Sequence, residues 1–409
     1  MLHQIVMKNF KCFKARTEIP LKSINLLTGI NGRGKSTALQ SVLLMRQSLE
    51  HSRTTDHLIF NGTCVDIGNY DDIRNSDTSR NEPCILGFQY GADGNYVNLE
   101  YQLRSDEVDE MSARIEQLII DGIINNQPVL LKSEYTDGYH RVIPGDEISE
   151  VYWRDLVFDR LEANSELMDS IRSLINFPGI HYVSADRIGP REYYPKQSFS
   201  EFPSVGRRGE YTPNVLYLKK DEVIADSVCH EKGVTKTLAD QTQAWLSAIF
   251  DGDRIELVST NANIVILSLN SEEGSRGYKP VNVGFGYSYA LPIVVTCLVA
   301  KPGEIVIIEN PEAHLHPYAQ SKITQFLAKV CASGVQVFIE SHSDHVLNAL
   351  RLAVLDDIIS TEDLNILYFG RDEYPTVTKI EVMDDGAIEQ WPTGFFDQLD
   401  RDFERLFGA

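Results

Sequence analysis

Two short stretches carry side chains whose types and spacing point to phosphate chemistry. The first, Gly29-Ile30-Asn31-Gly32-Arg33-Gly34-Lys35-Ser36-Thr37, fits G-x-x-x-x-G-K-[ST] in full, between a predicted strand and a predicted helix. Gly29, Gly32 and Gly34 let the backbone amides of the loop, those of Asn31 and Arg33 included, turn toward phosphate oxygens. The start of the following helix adds partial positive charge at Lys35, Ser36 and Thr37. Lys35 is then expected on the β and γ phosphates, with Ser36 as a Mg²⁺ ligand. The second stretch, "IVIIENPEAHLHP" (305–317), is a buried apolar run that ends in acids. Glu309 is the metal-side carboxylate directly after the strand, acting through water. Asn310, where many such sites carry a base, orients a water but cannot take its proton. Glu312 is the nearest replacement base. Plainer readings stand beside these: Asn310 as a turn residue before Pro311, and Glu312 as an acid facing a helix dipole.

These residues need a scaffold. Ile24–Gly29 reads as a short strand, followed by a helix with Leu39, Val42, Leu43 and Arg46. Residues 83–104 read as antiparallel strands around "GADG", with Val97, Leu99, Tyr101 and Leu103 alternating with polar residues. The next section is mixed, with hairpin-like stretches, a helix predicted near 150–176, a strand at 180–185 and a helix near 234–250. Alternating strands return at 254–269. From 281 the pattern is α/β: buried strands at 305–308 and 335–340, then helices with Ile323, Phe326, Leu327, Val330 and with Val346, Leu347, Leu350, Val354. A small β piece turning at "DDG" (384–386) and a short helix complete the reading. The expected divisions are an N-terminal lobe at 1–104, an inserted α+β region at 105–253, a C-terminal lobe at 254–363 and an extension at 364–409.

Three more segments follow in a set order: "NVGFGYS" (282–288) opening a helix, "HLHP" (314–317) after the acidic strand, and His342 in "IESHSDHVL" (339–347). With the phosphate loop and "NFKCFK" (9–14), this order resembles the ABC-type ATPase heads of RecF, SMC and the OLD nucleases. The resemblance implies an α/β head with a mixed central sheet, an antiparallel β subdomain and an inserted α+β/helical region. It implies ATP and Mg²⁺ sandwiched in a head-to-tail homodimer or higher homo-oligomer. Gly284, Phe285, Gly286 and Ser288 correspond to the signature loop that caps the γ-phosphate of the opposite subunit. His342 corresponds to the switch histidine that senses that phosphate, and Leu315 and His316 to the loop crossing the dimer interface. Gln40 or Gln89 stands for the metal-contacting glutamine. The signature departs from the usual Ser-Gly-Gly, and the 60-odd residues after His342 are too few for an OLD-type nuclease domain. "IENPEAHLHP", "RIGPREYY" (187–194), "VGRRGEYT" (205–212) and "WPTGFFDQ" (391–398) resemble the ATPase subunits of Septu and some retrons. That narrower likeness implies anti-phage defence in which the ATPase regulates a separate nuclease subunit, often HNH-type. The loss of the usual base at Asn310 lowers the expected turnover, a profile that suits a switch.

Composition sets limits. A formal net charge of −21 argues against a surface coated in phosphate contacts. One loop region, Arg187, Arg191, Lys196, Arg207 and Arg208, is nonetheless basic, and reads either as a DNA, RNA or partner contact or as ion pairs with Glu192, Glu201 and Glu210. No apolar run is long enough for a bilayer and the N-terminus lacks a signal-peptide core, so a cytoplasmic protein is expected. The 6 scattered cysteines read as buried thiols rather than metal ligands. Phe10 and Phe13 lie where adenine often sits in related heads, although core packing is the plainer role. "GYSYA" (286–290) misses the serine-hydrolase elbow, and Cys229-His230 is too close in sequence for a nucleophile pair. The competing functions are a RecF-like DNA-repair ATPase that reads a DNA structure, and a nucleotide-binding scaffold with negligible turnover.

Overall fold

The structure is a computed structural model that describes residues 1–106, 108–143, 151–160, 165–196, 202, 204–250, 254–259, 264–270, 279, 281, 284–370 and 376–408. Nine α-helices occur among the described residues, and the chain forms two compact units. Asn282 of the "NVGFGYS" segment and Glu201 of the basic loop lie outside the described residues.

The first unit, chiefly Met1–Lys22 with Asn31–Ile180, is built on an antiparallel sheet. Its strands run from Thr17–Pro20 and Leu2–Lys8 through Cys84–Ala92, Asn95–Ser105, Ser112–Ile124 and Gln127–Thr136 to Tyr139–Ile143. Along Asn95–Ser105, Val97, Leu99, Tyr101 and Leu103 are buried while Asn98, Glu100 and Gln102 are only half-buried, the alternation of a sheet with one core face. The helix Lys35–His51 belongs to this unit, with Leu39, Val42 and Leu43 fully buried. Arg46 is buried on it because Glu50, one turn on, accepts its guanidinium at 2.7 Å.

The expected helix near 150–176 is corrected. Val151–Arg154 and Val157–Arg160 form an antiparallel hairpin, and only Ser165–Leu174 is helical. The hairpin turns at Asp155 and Leu156, both with positive φ (55° and 61°), as a tight two-residue connection demands.

A charged cluster closes this unit. His57 Nδ1 lies 2.6 Å from Asp56 and Nε2 2.6 Å from Asp106. His140 also reaches Asp56, and Arg114 reaches Asp106. With an acceptor on each side, both ring nitrogens of His57 donate, which requires the imidazolium. The hydrogen bond to Asp56 holds His57 above its ordinary 6.5, against burial. Burial pulls Asp56 upward, but His140 and His57 outweigh it and hold it below its ordinary 3.8. His57 therefore stabilises below pH 6.5 and loses its contribution as pH rises through its raised value. Asp56 stabilises above pH 3.8 and loses its share as pH falls through its lowered value. The cluster is expected to contribute most between those limits, so the urea midpoint should fall on the alkaline side. That fall should flatten in His57→Gln, and an unchanged slope in the variant would remove the cluster from the account.

The second unit, Ser23–Ile30 with His181–Gly370 and Val377–Ala409, holds a six-stranded sheet. Its order is Ile180–Val183, Ile305–Glu309, Gln336–Glu340, Ile24–Gly29, Leu364–Phe369, Val377–Ile380. The second to fifth of these run parallel, and the last is antiparallel to its neighbour. Ile305–Ile308 and Gln336–Glu340 are buried throughout, as strands covered on both faces are. The helices Phe285–Val299, Pro317–Ala332 and Asp344–Leu355 pack their apolar sides into the core, where Trp245 meets Phe326 at 4.6 Å between ring centroids. The helix predicted near 234–250 occupies Leu238–Phe250. The turn at "DDG" is present, with Gly386 N–H donating to the Met383 carbonyl, but it joins no pair of strands, so the expected hairpin there is corrected.

Candidate functional site

The phosphate loop leaves the sheet at Gly29, whose φ of 118° is open to glycine alone among common residues. A Cβ there would lie 2.3 Å from the Phe369 carbonyl oxygen, and the same oxygen accepts the Ile30 N–H at 3.1 Å. The helix then begins at Lys35 on Gly34, with φ of 105° and the Phe13 ring beneath it, 2.6 Å from where a Cβ would stand. Gly32, with φ of 75°, faces open space. Asn31, Gly32 and Ser36 are exposed, Arg33 and Thr37 half-buried, and Lys35 is 3 % exposed. No acid stands in the helix's first turn, so nothing there offsets the helix dipole against an anion. Phe10 and Phe13 are core residues, at 0 and 1 % exposure. Gln40 accepts from Lys11 at 2.7 Å, whereas Gln89 donates to Asn98 within the antiparallel sheet.

The acids stand at the matching end of the parallel sheet. Glu309 is in register with Glu340, and Glu340 with Leu27 of the strand that feeds the loop. Glu309 thus ends a strand roughly 10 Å, two strand spacings, from the one entering the loop. Tyr182 donates to its Oε1 at 3.1 Å and the Ala185 N–H to its Oε2 at 3.0 Å. Each oxygen keeps a further lone pair, which suits a carboxylate that holds a metal's water rather than wrapping the metal.

The next residues close on one another. Asn310 has φ of 45°, and its N–H donates to the Glu340 carbonyl at 2.7 Å. Its Nδ2 donates to Glu312 Oε1 at 3.2 Å, and the His342 N–H reaches the same oxygen at 3.2 Å. Glu312 Oε2 is buried with no hydrogen-bond partner among the described residues. Asn310, Glu312 and His342, expected separately from the sequence, are therefore one cluster. An orphaned buried carboxylate oxygen on Glu312 is a fit environment for a water awaiting a base. Glu340 escaped the sequence reading, and Arg187 was read there only as one charge of the basic loop.

The segment expected to be a signature opens the helix Phe285–Val299 on Gly284. Gly284 and Phe285 are exposed, while Tyr287 and Ser288 are buried, so only the first two face solvent. A Cβ on Gly286 would meet the His314 carbonyl at 3.0 Å, a close approach that glycine permits. His314 lies between Phe285 and Tyr289, at 5.4 and 4.5 Å between ring centroids. Leu315 packs into the core, and His316 is exposed and caps the helix Pro317–Ala332. In the basic loop Arg187 is 2 % exposed and Arg208 pairs with Asp186 at 3.1 Å, so those two residues are not a free cationic surface. All 6 cysteines are free thiols, and no group of metal-ligating residues with a cation-binding arrangement occurs among the described residues. No helix of the described residues is long and apolar enough to cross a membrane.

A phosphate loop opening from a buried parallel strand, with an acid ending a strand of the same sheet, defines a P-loop nucleotide-binding α/β domain. The chain belongs to the family described as "AAA domain, putative AbiEii toxin, Type IV TA system", whose model matches residues 24–348. A second model, described as protein of unknown function (DUF3696), matches residues 359–406. Among solved structures, the chain is similar to the SMC head domain from Thermotoga maritima, at 12% identity and TM-score 0.43 over 93% of this chain and 99% of that one. It is also similar to an SMC head bound to the C-terminal winged-helix domain of ScpA, at 13% and 0.47 over 93% and 97%. An SMC head from Pyrococcus furiosus with an extended coiled coil, bound to the C-terminal domain of ScpA, matches at 12% and 0.42 over 100% and 98%. Among curated proteins no relative matches.

Proposed function

We propose that this chain binds ATP with Mg²⁺ at Gly29–Thr37 and hydrolyses it slowly, as a switch that dimerises around nucleotide and governs a separate effector. The observation that carries the reading is the Glu309–Asn310–Glu312–His342 cluster at the same sheet end as the strand that enters the phosphate loop. Lys35 and the loop amides bind the phosphates, and Ser36 and Glu309 would hold Mg²⁺. Bound Mg²⁺ would neutralise charge on the β and γ phosphates. Glu312 takes the water's proton while Asn310 orients the carboxylate, and a base held by such a secondary contact suits slow turnover. The exposed Gly284 and Phe285 form the face that meets a second copy.

The effector in this reading is a nuclease subunit, HNH-type, in anti-phage defence. The segments resembling Septu and retron ATPases support it, as does a family description that names a toxin system. A DNA-reading clamp is less supported, because Arg187 is buried and Arg208 is paired. Single-turnover hydrolysis tests the ATPase. Glu309→Gln is expected to slow it on the order of 100-fold, and an unchanged rate would sink the metal assignment. Co-purification with the products of neighbouring genes tests the effector, and recovery of recombination proteins instead of a nuclease would favour repair.

A further inference from the structure

Arg187 lies in the loop after Ile180–Val183 and buries a guanidinium, at 2 % exposure. Its Nη2 donates to the Asn310 carbonyl, and its Cζ lies 5.0 Å from the centroid of the Tyr289 ring. Nε and Nη1 are buried and have no hydrogen-bond partner among the described residues. Burial lowers its pKa to about 10, opposed by Tyr289, Glu312 and Glu309. A buried charge kept at such cost needs nearby acids and a fixed geometry. The turn it grips is held at both ends: Arg187 takes Asn310, while Phe285 and Tyr289 flank His314.

We propose that Arg187 is a positioning residue of the hydrolytic site, fixing Asn310 so that Glu312 presents its second oxygen to the attacking water. The proposal rests on Glu312 as base. By holding the Asn310 carbonyl, Arg187 keeps the left-handed backbone from which Asn310 Nδ2 reaches Glu312 Oε1. Lysine keeps the charge and can still donate, but it has no planar guanidinium fork to lie over Tyr289, so Arg187→Lys weakens the hold without removing the charge.

The test is a double-mutant cycle on the full chain with ATP and Mg²⁺, using Arg187→Lys, Glu312→Gln and both together. Arg187→Lys is expected to lower kcat about tenfold with KM for ATP within about twofold, and to change kcat less than about twofold once Glu312 is Gln. A strong Glu312→Gln effect with additive losses overturns the positioning role and leaves the base reading standing. A rise in KM with kcat unchanged also overturns it, because Arg187 would then bind nucleotide. A silent Glu312→Gln overturns the base reading and the positioning role with it. If Arg187→Lys fails to fold by thermal melt, Tyr289→Leu takes its place in the cycle with the same expected non-additivity.

Discussion

Replacing Lys35 with alanine should cut ATP turnover by on the order of 100-fold or more, through loss of a charge aimed at the β and γ phosphates. Lys35 is the first residue of its helix and only 3 % exposed, so its stem is held rather than free to wander. The helix N-terminus has no acid in its first turn and continues to attract anions in the variant. Nucleotide affinity should therefore fall less steeply than the rate. Alanine is also the better helix former, so the thermal melt should not drop. A rate within a few-fold of wild type, in a folded variant, would mean that the loop does not serve hydrolysis.

The second large effect is a ranking. Glu312→Gln preserves shape and the acceptor for Asn310 and His342 but removes the basic oxygen, and should lower kcat on the order of 100-fold. Asn310→Ala removes one neutral hydrogen bond to Glu312 and should cost no more than about tenfold. Single-turnover rates at saturating ATP decide between them. If Asn310→Ala proves the worse of the pair, orientation of water by the amide matters more than proton removal, and Glu312 is not the base.

Much of this was written plainly in the sequence. The loop's glycines and the apolar run into Glu309 announce themselves because each obeys a local rule, positive φ for one and burial on both faces for the other. Asn310, Glu312 and His342 were legible as individuals, yet their union was not, since a helix and a strand separate the first two from His342. Arg187 was hidden for a different reason. Among Arg191, Lys196, Arg207 and Arg208 it reads as one charge of a solvated loop, and only packing under Tyr289 turns it inward. The hairpin at 151–160 reads as helix in the sequence because its turn, Asp155-Leu156, uses a left-handed leucine that no turn rule anticipates.

The left-handed backbone at Asn310 has a wider meaning for the missing base. Asparagine is among the few residues that enter this conformation at small cost, and glutamate is not. The turn therefore selects the residue before the chemistry does. A glutamate placed at 310 would resist the very bend that carries Glu312 toward His342. The chain carries a corner where many such sites carry a second carboxylate, and in the proposed reading catalytic duty falls to Glu312, the residue that the corner delivers.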